Sequence, residues 1–232
     1  MYERFLKRWM DVIVSGIALI VLSPLFIILI AAGSIMMKGN PFFVQPRPGQ
    51  KDKNGKEKIF HLIKFRTMSN ARGADGKLLP DEKRLGRYGK LLRSTSLDEL
   101  PSLVNIFKGD LSLVGPRPQL VRDMTFMSEE QRRRHDVPQG LTGLAQVNGR
   151  NNITWEKKFE YDLQYIENGI TFVNDMKIIF QTVGKVLKRA DVVREGTVSD
   201  FDFGDWLLQR GQVDPATYEL KQAEAKKLLE NY

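Results

Sequence analysis

The stretch VIVSGIALIVLSPLFIILIAAGSIMM, residues 12–37, decides the fold: 26 consecutive positions carry no charged side chain. One continuous helix over it would be about 39 Å long at ~1.5 Å per residue, enough to cross a ~30 Å hydrocarbon layer. A secretory signal has an apolar core of only about 7–15 residues, so it fits poorly. Two details oppose a straight crossing. Ser23-Pro24 stands mid-run, where proline removes a backbone donor and clashes with the preceding turn. Positive charge flanks both ends, with Arg4, Lys7 and Arg8 before and Lys38, Lys51, Lys53, Lys56 and Lys58 after. Basic flanks stay on the cytoplasmic side, and both can do so only if the helix bends and returns to the face it left. The expectation is a re-entrant membrane helix over residues 1–38, broken at Ser23 and Pro24, with Lys7 and Arg8 at lipid headgroups. A kinked spanning helix is the alternative, because membranes tolerate proline.

Outward from the anchor, Phe42–Gln45 and Ile59–Phe65 are short apolar runs separated by Asn54-Gly55, a strong turn signal, and read as a hairpin. Residues 69–84 read as a polar surface loop. Helical spacing recurs from Leu85 to Phe107, interrupted at Ser94-Thr95-Ser96, and again over residues 154–167 and 172–189. The class is α+β, mainly α-helical with a small β-hairpin element and amphipathic interfacial helices. A catalytic domain over residues 39–200 and a helical extension over 201–232 complete the division. That extension either packs on the domain or pairs two copies in a homodimer.

Lys and Arg total 36 against 28 Asp and Glu, a net charge of +8. Such a chain suits an anionic partner. No aromatic-basic groove favours nucleic acid. Without cysteine, and with His61 and His135 alone, thiolate and histidine-rich metal sites are excluded.

Leu97-Asp98-Glu99-Leu100-Pro101 is the most informative polar stretch. Leu97, Leu100, Val104 and Phe107 recur at helical spacing, and Pro101 belongs in a first turn, so Asp98 and Glu99 fall at or beside an N-cap. A capping box from Ser96 to Glu99 is the ordinary reading. The functional one needs the same geometry: an ionised Asp can attack phosphorus, and a neighbouring Glu can help hold Mg²⁺. Arg93 is placed to meet an anion. Gly115-Pro116-Arg117-Pro118 holds an Arg between two rigid residues, and a Gly-rich loop carries Arg150; each is a turn or a phosphate contact. Asp162 lies in the apolar stripe of Trp155, Phe159 and Ile166 and must find a cation or donor. Asp175 opens the next helix as a cap or a site residue.

These residues occur together with Lys7-Arg8 and Asp11, Gln45-Pro46-Arg47-Pro48-Gly49, Lys64-Phe65-Arg66-Thr67-Met68 and Gly143-Leu144-Ala145-Gln146-Val147-Asn148-Gly149-Arg150. In that order, over about residues 1 to 196, the chain resembles the small monotopic phosphoglycosyl transferases of bacteria, the bacterial sugar transferase family. The resemblance implies a catalytic domain on the cytoplasmic face of the inner membrane and a Mg²⁺-dependent reaction in two steps. Asp98 would take a phosphosugar from a UDP-sugar, releasing UMP, and polyprenyl phosphate would then attack that intermediate. Glu99 would support the metal or a proton, with Arg93, Arg117 and Arg150 on phosphates and Asp162 and Asp175 as further substrate contacts. His135-Asp136-Val137-Pro138-Gln139-Gly140 departs from the pattern by lacking an Arg-Pro pair before its glycine. A non-enzymatic membrane-attached binding module is the competing reading; it needs neither the Asp-Glu pair nor Mg²⁺.

Overall fold

The computed structural model describes residues 2–149, 153–188, 201–230 and 232. A π-helical turn, Tyr2–Leu6, leads into α1 (Lys7–Val21) and α2 (Ser23–Met36), whose axes bend by 65°. The bend has a local cause. Pro24 has no N–H to offer the Ile20 carbonyl, and the Ser23 hydroxyl donates to that carbonyl instead, at 2.8 Å. Among the described residues no single helix is long and apolar enough to cross a membrane; α1 and α2 meet that test only as a bent pair.

The expected hairpin is present and longer than its apolar runs. β1 (Phe42–Lys51) pairs antiparallel with β2 (Glu57–Phe65), Phe42 opposite Phe65 and Arg47 opposite Phe60. Asp52 Oδ1 accepts from the Asn54 and Lys56 amides across the turn, where Gly55 takes φ 76°. Pro46 and Pro48 are tolerated because a two-stranded ribbon has an open edge.

Next come α3 (Asp81–Arg84), α4 (Arg87–Ser94), a 3₁₀ turn at Leu97–Glu99 and α5 (Ser102–Lys108). This corrects the expectation of a helix starting at Leu97 with a capping box. Ser96 is left-handed (φ 56°, ψ 18°) and its side chain caps nothing, while α5 starts only after Pro101. The two carboxylates therefore sit on a separate tight turn.

β3 (Ser112–Val114) runs parallel to β4 (Gly140–Thr142), a pairing the local sequence does not announce. Short helices α6 (Val121–Met124), α7 (Glu129–Arg132) and α8 (Leu144–Val147) fill the connections. α9 (Trp155–Glu167) and α10 (Phe172–Leu187) form where periodicity predicts them, capped by Thr154 on the Lys157 amide and Thr171 on the Asn174 amide. α11 (Phe203–Gln209) and α12 (Pro215–Glu230) follow.

The hairpin core is Phe60, Leu62, Leu103, Ile106 and Leu111, and α1 and α2 press Ala18, Leu19, Leu22 and Phe26 onto it. Fully buried Ile106 contributes roughly 1.5–3 kcal/mol of transfer free energy. Polar ties fix α1 as well. Asp11 Oδ1 accepts from the Leu113 amide at 2.9 Å. Arg8 donates to the Ile106 and Phe107 carbonyls at 2.6 and 2.8 Å, closing the end of α5. Lys7 is 3% exposed and bonded to Asp175 at 2.5 Å, so the headgroup assignment of Lys7 is corrected: its ammonium is an internal tie. Arg8 is likewise committed to carbonyls.

One face of the α1–α2 pair remains apolar and open, with Ile13, Ile17, Ile20, Ile27, Ile28 and Ile35 exposed; α10 exposes Phe172, Val173, Phe180, Val183 and Leu187. The extension packs on the domain, Ala225 and Leu228 of α12 against Val121 and Met124 of α6.

Candidate active site

A cleft of about 950 Å³ opens between the hairpin, the Leu97–Glu99 turn and the loop after β3. Among the described residues seven basic side chains line it (Arg47, Lys64, Arg66, Arg84, Arg93, Arg117, Arg122) against four acidic ones (Asp81, Asp98, Glu99, Asp202). That excess suits a ligand carrying several negative charges, such as a diphosphate.

Glycines set the walls. A Cβ on Gly89 would lie 1.9 Å from the Thr67 carbonyl oxygen, so α4 meets the chain after β2 at contact distance, and Arg93 Nε donates to Thr67 Oγ1 at 3.1 Å. A Cβ on Gly115 would lie 2.3 Å from the Pro138 carbonyl oxygen, and one on Gly140 2.1 Å from the Gly115 nitrogen. These contacts let the loops after β3 and before β4 interlock, through Gly115 N to Thr142 O and Gly140 N to Pro116 O, both at 2.9 Å. Arg117 projects from that junction. Its two terminal guanidinium nitrogens donate to Glu99, Nη2 to Oε1 at 2.5 Å and Nη1 to Oε2 at 3.3 Å. Lys64 reaches the same Glu99 oxygen at 3.0 Å. Glu99 thus gathers two cations at the cleft, and burial pushes the Lys64 ammonium pKa down while Glu99 opposes the shift.

Asp98 behaves differently. Among the described residues its half-buried carboxylate makes no side-chain hydrogen bond or ion pair. Burial, then the neighbouring Glu99 charge, raises its pKa; Lys64, Arg117 and Arg93 act in the opposite direction. A carboxylate made more basic by burial and a neighbouring charge is a better nucleophile once ionised. Arg47 lies deep in the same wall, donating to the Pro118 carbonyl at 3.2 Å and to Gln45 Oε1 at 2.7 Å. Burial and nearby Arg117 push its pKa down to about 10, which leaves it charged at neutral pH.

For a divalent cation the protein donors are few: among the described residues no three His, Asp or Glu side chains converge. Mg²⁺ needs no such cage, since it takes one or two carboxylates and completes its shell with phosphate oxygens and water. Asp98 and Glu99 offer that number of carboxylates, Glu99 sharing its oxygens with Arg117 and Lys64.

The structure therefore brings Asp98, Glu99, Arg93 and Arg117 together in one cleft. Arg150 lies outside the described residues. Asp162 and Asp175 are elsewhere, each spent on a buried pair. Asp162 Oδ2 holds Arg134 at 2.9 and 2.7 Å, and Arg134 in turn donates to the Arg117 carbonyl at 2.5 Å. Asp162 thus supports the Arg117 loop from behind. Asp175 is fully buried and accepts from Lys7, Tyr2 and Tyr165, joining α1 to α10. A charge in an apolar stripe must be paired, and here the partner is internal.

Arg84, Arg122 and Asp202 are cleft residues that sequence reasoning missed, while Arg47, Lys64 and Arg66 stood in quoted motifs without being given a role. Lys64 left a signal: it continues the face of β2 on which Phe60 and Leu62 are buried, a core-facing position for a charge. Segment 135–140, which lacks the basic residue, instead buries His135, Val137 and Gln139 and leaves Asp136 exposed. Gln139 is fully buried and donates to the Arg134 carbonyl at 2.8 Å, while burial pushes the His135 pKa down to about 4 despite nearby Glu57.

A family model described as bacterial sugar transferase matches residues 2–189. The chain is 48% identical over 182 residues to a Bacillus subtilis protein named uncharacterized sugar transferase EpsL, covering 78% of this chain and 87% of that one. It is 40% identical to the UDP-glucose:undecaprenyl-phosphate glucose-1-phosphate transferase of Klebsiella pneumoniae, over 77% of this chain and 39% of that one. To the undecaprenyl-phosphate galactose phosphotransferase of Salmonella typhimurium it is 34% identical, over 81% of this chain and 41% of that protein. The matched region is thus less than half the length of the latter two.

Proposed function

The chain belongs to the bacterial sugar transferase family, and from that premise we propose that it transfers a phosphosugar from a UDP-sugar to undecaprenyl phosphate, the first membrane step of glycoconjugate assembly. The observation that carries this reading is Asp98, its pKa raised by burial and Glu99, in a cleft whose described lining is predominantly basic. An Asp98 oxygen attacks the phosphorus bonded to the sugar. The bond from that phosphorus to the oxygen shared with UMP breaks, and UMP leaves with the electron pair. An oxygen of the lipid phosphate then attacks the same phosphorus and returns Asp98 to a free carboxylate. Arg117, Arg93 and Arg47 hold phosphate oxygens, and Glu99 keeps Arg117 and Lys64 aimed at them. When bound at Asp98 and Glu99, Mg²⁺ supplies charge neutralisation for the diphosphate.

The same reading explains the anchor. Arms of 15 and 14 residues are each about 22 Å long, and a symmetric wedge bent by 65° reaches about 12 Å deep, within one leaflet of a ~30 Å core. The exposed isoleucines of α1 and α2 and the exposed row on α10 then contact lipid, with the cleft on the cytoplasmic face beside the acceptor headgroup. The test is UMP release in detergent from a panel of UDP-sugars with undecaprenyl phosphate and Mg²⁺. The native chain should release UMP and Asp98→Asn should not. Equal release by that variant, or none by the native chain with any donor, contradicts the assignment.

A further inference from the structure

Residues 201–230 lie beyond the stretch matched by the family model, yet they reach the catalytic cleft: Asp202 lines it together with Asp98, Glu99 and Arg117. An aspartate immediately before a helix ordinarily caps the first turn. Asp202 stands immediately before α11 and makes no capping bond; its carboxylate turns away and forms an ion pair with Arg122 on the cleft wall. The position is fixed from three sides. The Phe203 amide donates to buried Asp123 at 2.8 Å, Trp155 Nε1 donates to the Phe201 carbonyl at 3.1 Å, and Phe203 packs on the Trp155 and Phe159 rings. Gly204 brings the backbone so close to Phe126 that a Cβ would lie 2.5 Å from the ring.

The remaining cleft wall is predominantly cationic and suits phosphates. An acceptor-only carboxylate repels phosphate and suits hydroxyl donors, and a charged acceptor makes the stronger hydrogen bond. Building on the UDP-sugar reading above, we propose that Asp202 is a specificity-determining residue that accepts hydrogen bonds from hydroxyl groups of the nucleotide-sugar donor, with Arg122 holding its carboxylate in place. A UDP-sugar carries such hydroxyls on both its hexose and its ribose. Asp202 therefore selects among donors, whereas Asp98 performs the transfer.

The test uses the full chain in detergent with UDP-glucose, UDP-galactose and UDP-N-acetylglucosamine, undecaprenyl phosphate and Mg²⁺. KM and kcat are measured for Asp202→Ala and Asp202→Asn, with UMP as inhibitor and melting temperature as the folding control. For each donor the native chain uses, KM should rise by about tenfold or more in Asp202→Ala, with kcat changed less than about threefold. A raised KM with unchanged inhibition by UMP assigns the contact to the hexose; equally weakened inhibition assigns it to the ribose. Should Asp202→Ala fail to fold, the isosteric Asp202→Asn gives the reading, with a smaller rise in KM of the same kind. Folded variants whose KM stays within about twofold of native, or whose kcat alone falls, would overturn the proposal and leave Asp202 as a tie for α11. Failure of the native chain to use any of the three donors would overturn the transferase reading and this inference together.

Discussion

At the scale of the residue, the site divides its two carboxylates by environment. Glu99 is committed to Arg117 and Lys64, whereas Asp98 is left without a partner among the described residues and has a raised pKa. That division has a stability consequence. A carboxyl whose folded-state pKa lies above its ordinary 3.8 contributes stability below that value and loses it as pH rises through the folded pKa. At neutral pH the ionised Asp98 is therefore a burden on the fold. Asp98→Asn should melt at a higher temperature than the native chain at pH 7 while losing UMP release, and the difference should shrink on acidification towards pH 4. A lower melting temperature at pH 7 would mean that Asp98 holds the turn together instead. Arg117 gives a second residue-level test. Its guanidinium spans both Glu99 oxygens, a fork that an ammonium cannot reproduce. Arg117→Lys should lower kcat/KM at least about tenfold despite conserving charge; near-native kinetics would reduce Arg117 to a turn residue. Asp98, Glu99, Arg93 and Arg117 were legible because each stands beside local punctuation, proline, glycine or a serine cluster. Lys64 on β2 and Arg122 on α6 stand beside no such mark, whereas Arg47 lies between Pro46 and Pro48 as Arg117 lies between Pro116 and Pro118, and it still drew no role.

At the scale of the element, legibility followed locality. The β1–β2 hairpin, α9 and α10 form from signals inside their own sequence: an Asn-Gly turn, a threonine cap, an apolar face of regular period. The β3–β4 pair does not. Its strands are three residues each and are brought together by Gly115, Gly140 and Gly143, which touch backbone to backbone from distant positions. The break between α1 and α2 was legible because Pro24 acts locally; the ties of Lys7, Arg8 and Asp11 to remote partners were not. The wedge those ties hold predicts a topology. Cysteines introduced one at a time by Glu3→Cys and Lys53→Cys should both react with a membrane-impermeant thiol reagent from the cytoplasmic side, against a chain with no native cysteine. Labelling of the Glu3→Cys chain from outside intact cells would replace the wedge with a kinked spanning helix.

At the scale of the whole molecule, three regions converge on one cleft: the hairpin with α4 and the Leu97–Glu99 turn, the interlocked loops around Gly115, and the segment that begins α11. The bent α1–α2 pair packs beneath the hairpin core, so an anchor inserted in one leaflet would hold a water-facing cleft close to a lipid phosphate. Asp202 had no legible role in the sequence because its neighbours in the cleft are about eighty to one hundred and sixty positions away along the chain. Everything in this arrangement turns on whether the phosphosugar passes through Asp98. Incubation of the purified chain with a UDP-sugar it turns over and Mg²⁺, without lipid acceptor, followed by acid quench, digestion and mass spectrometry, measures that directly. One sugar phosphate should be added to the peptide containing Asp98, with UMP released in equal amount. UMP formed only when both substrates are present, with no adduct on that peptide, would contradict transfer through Asp98.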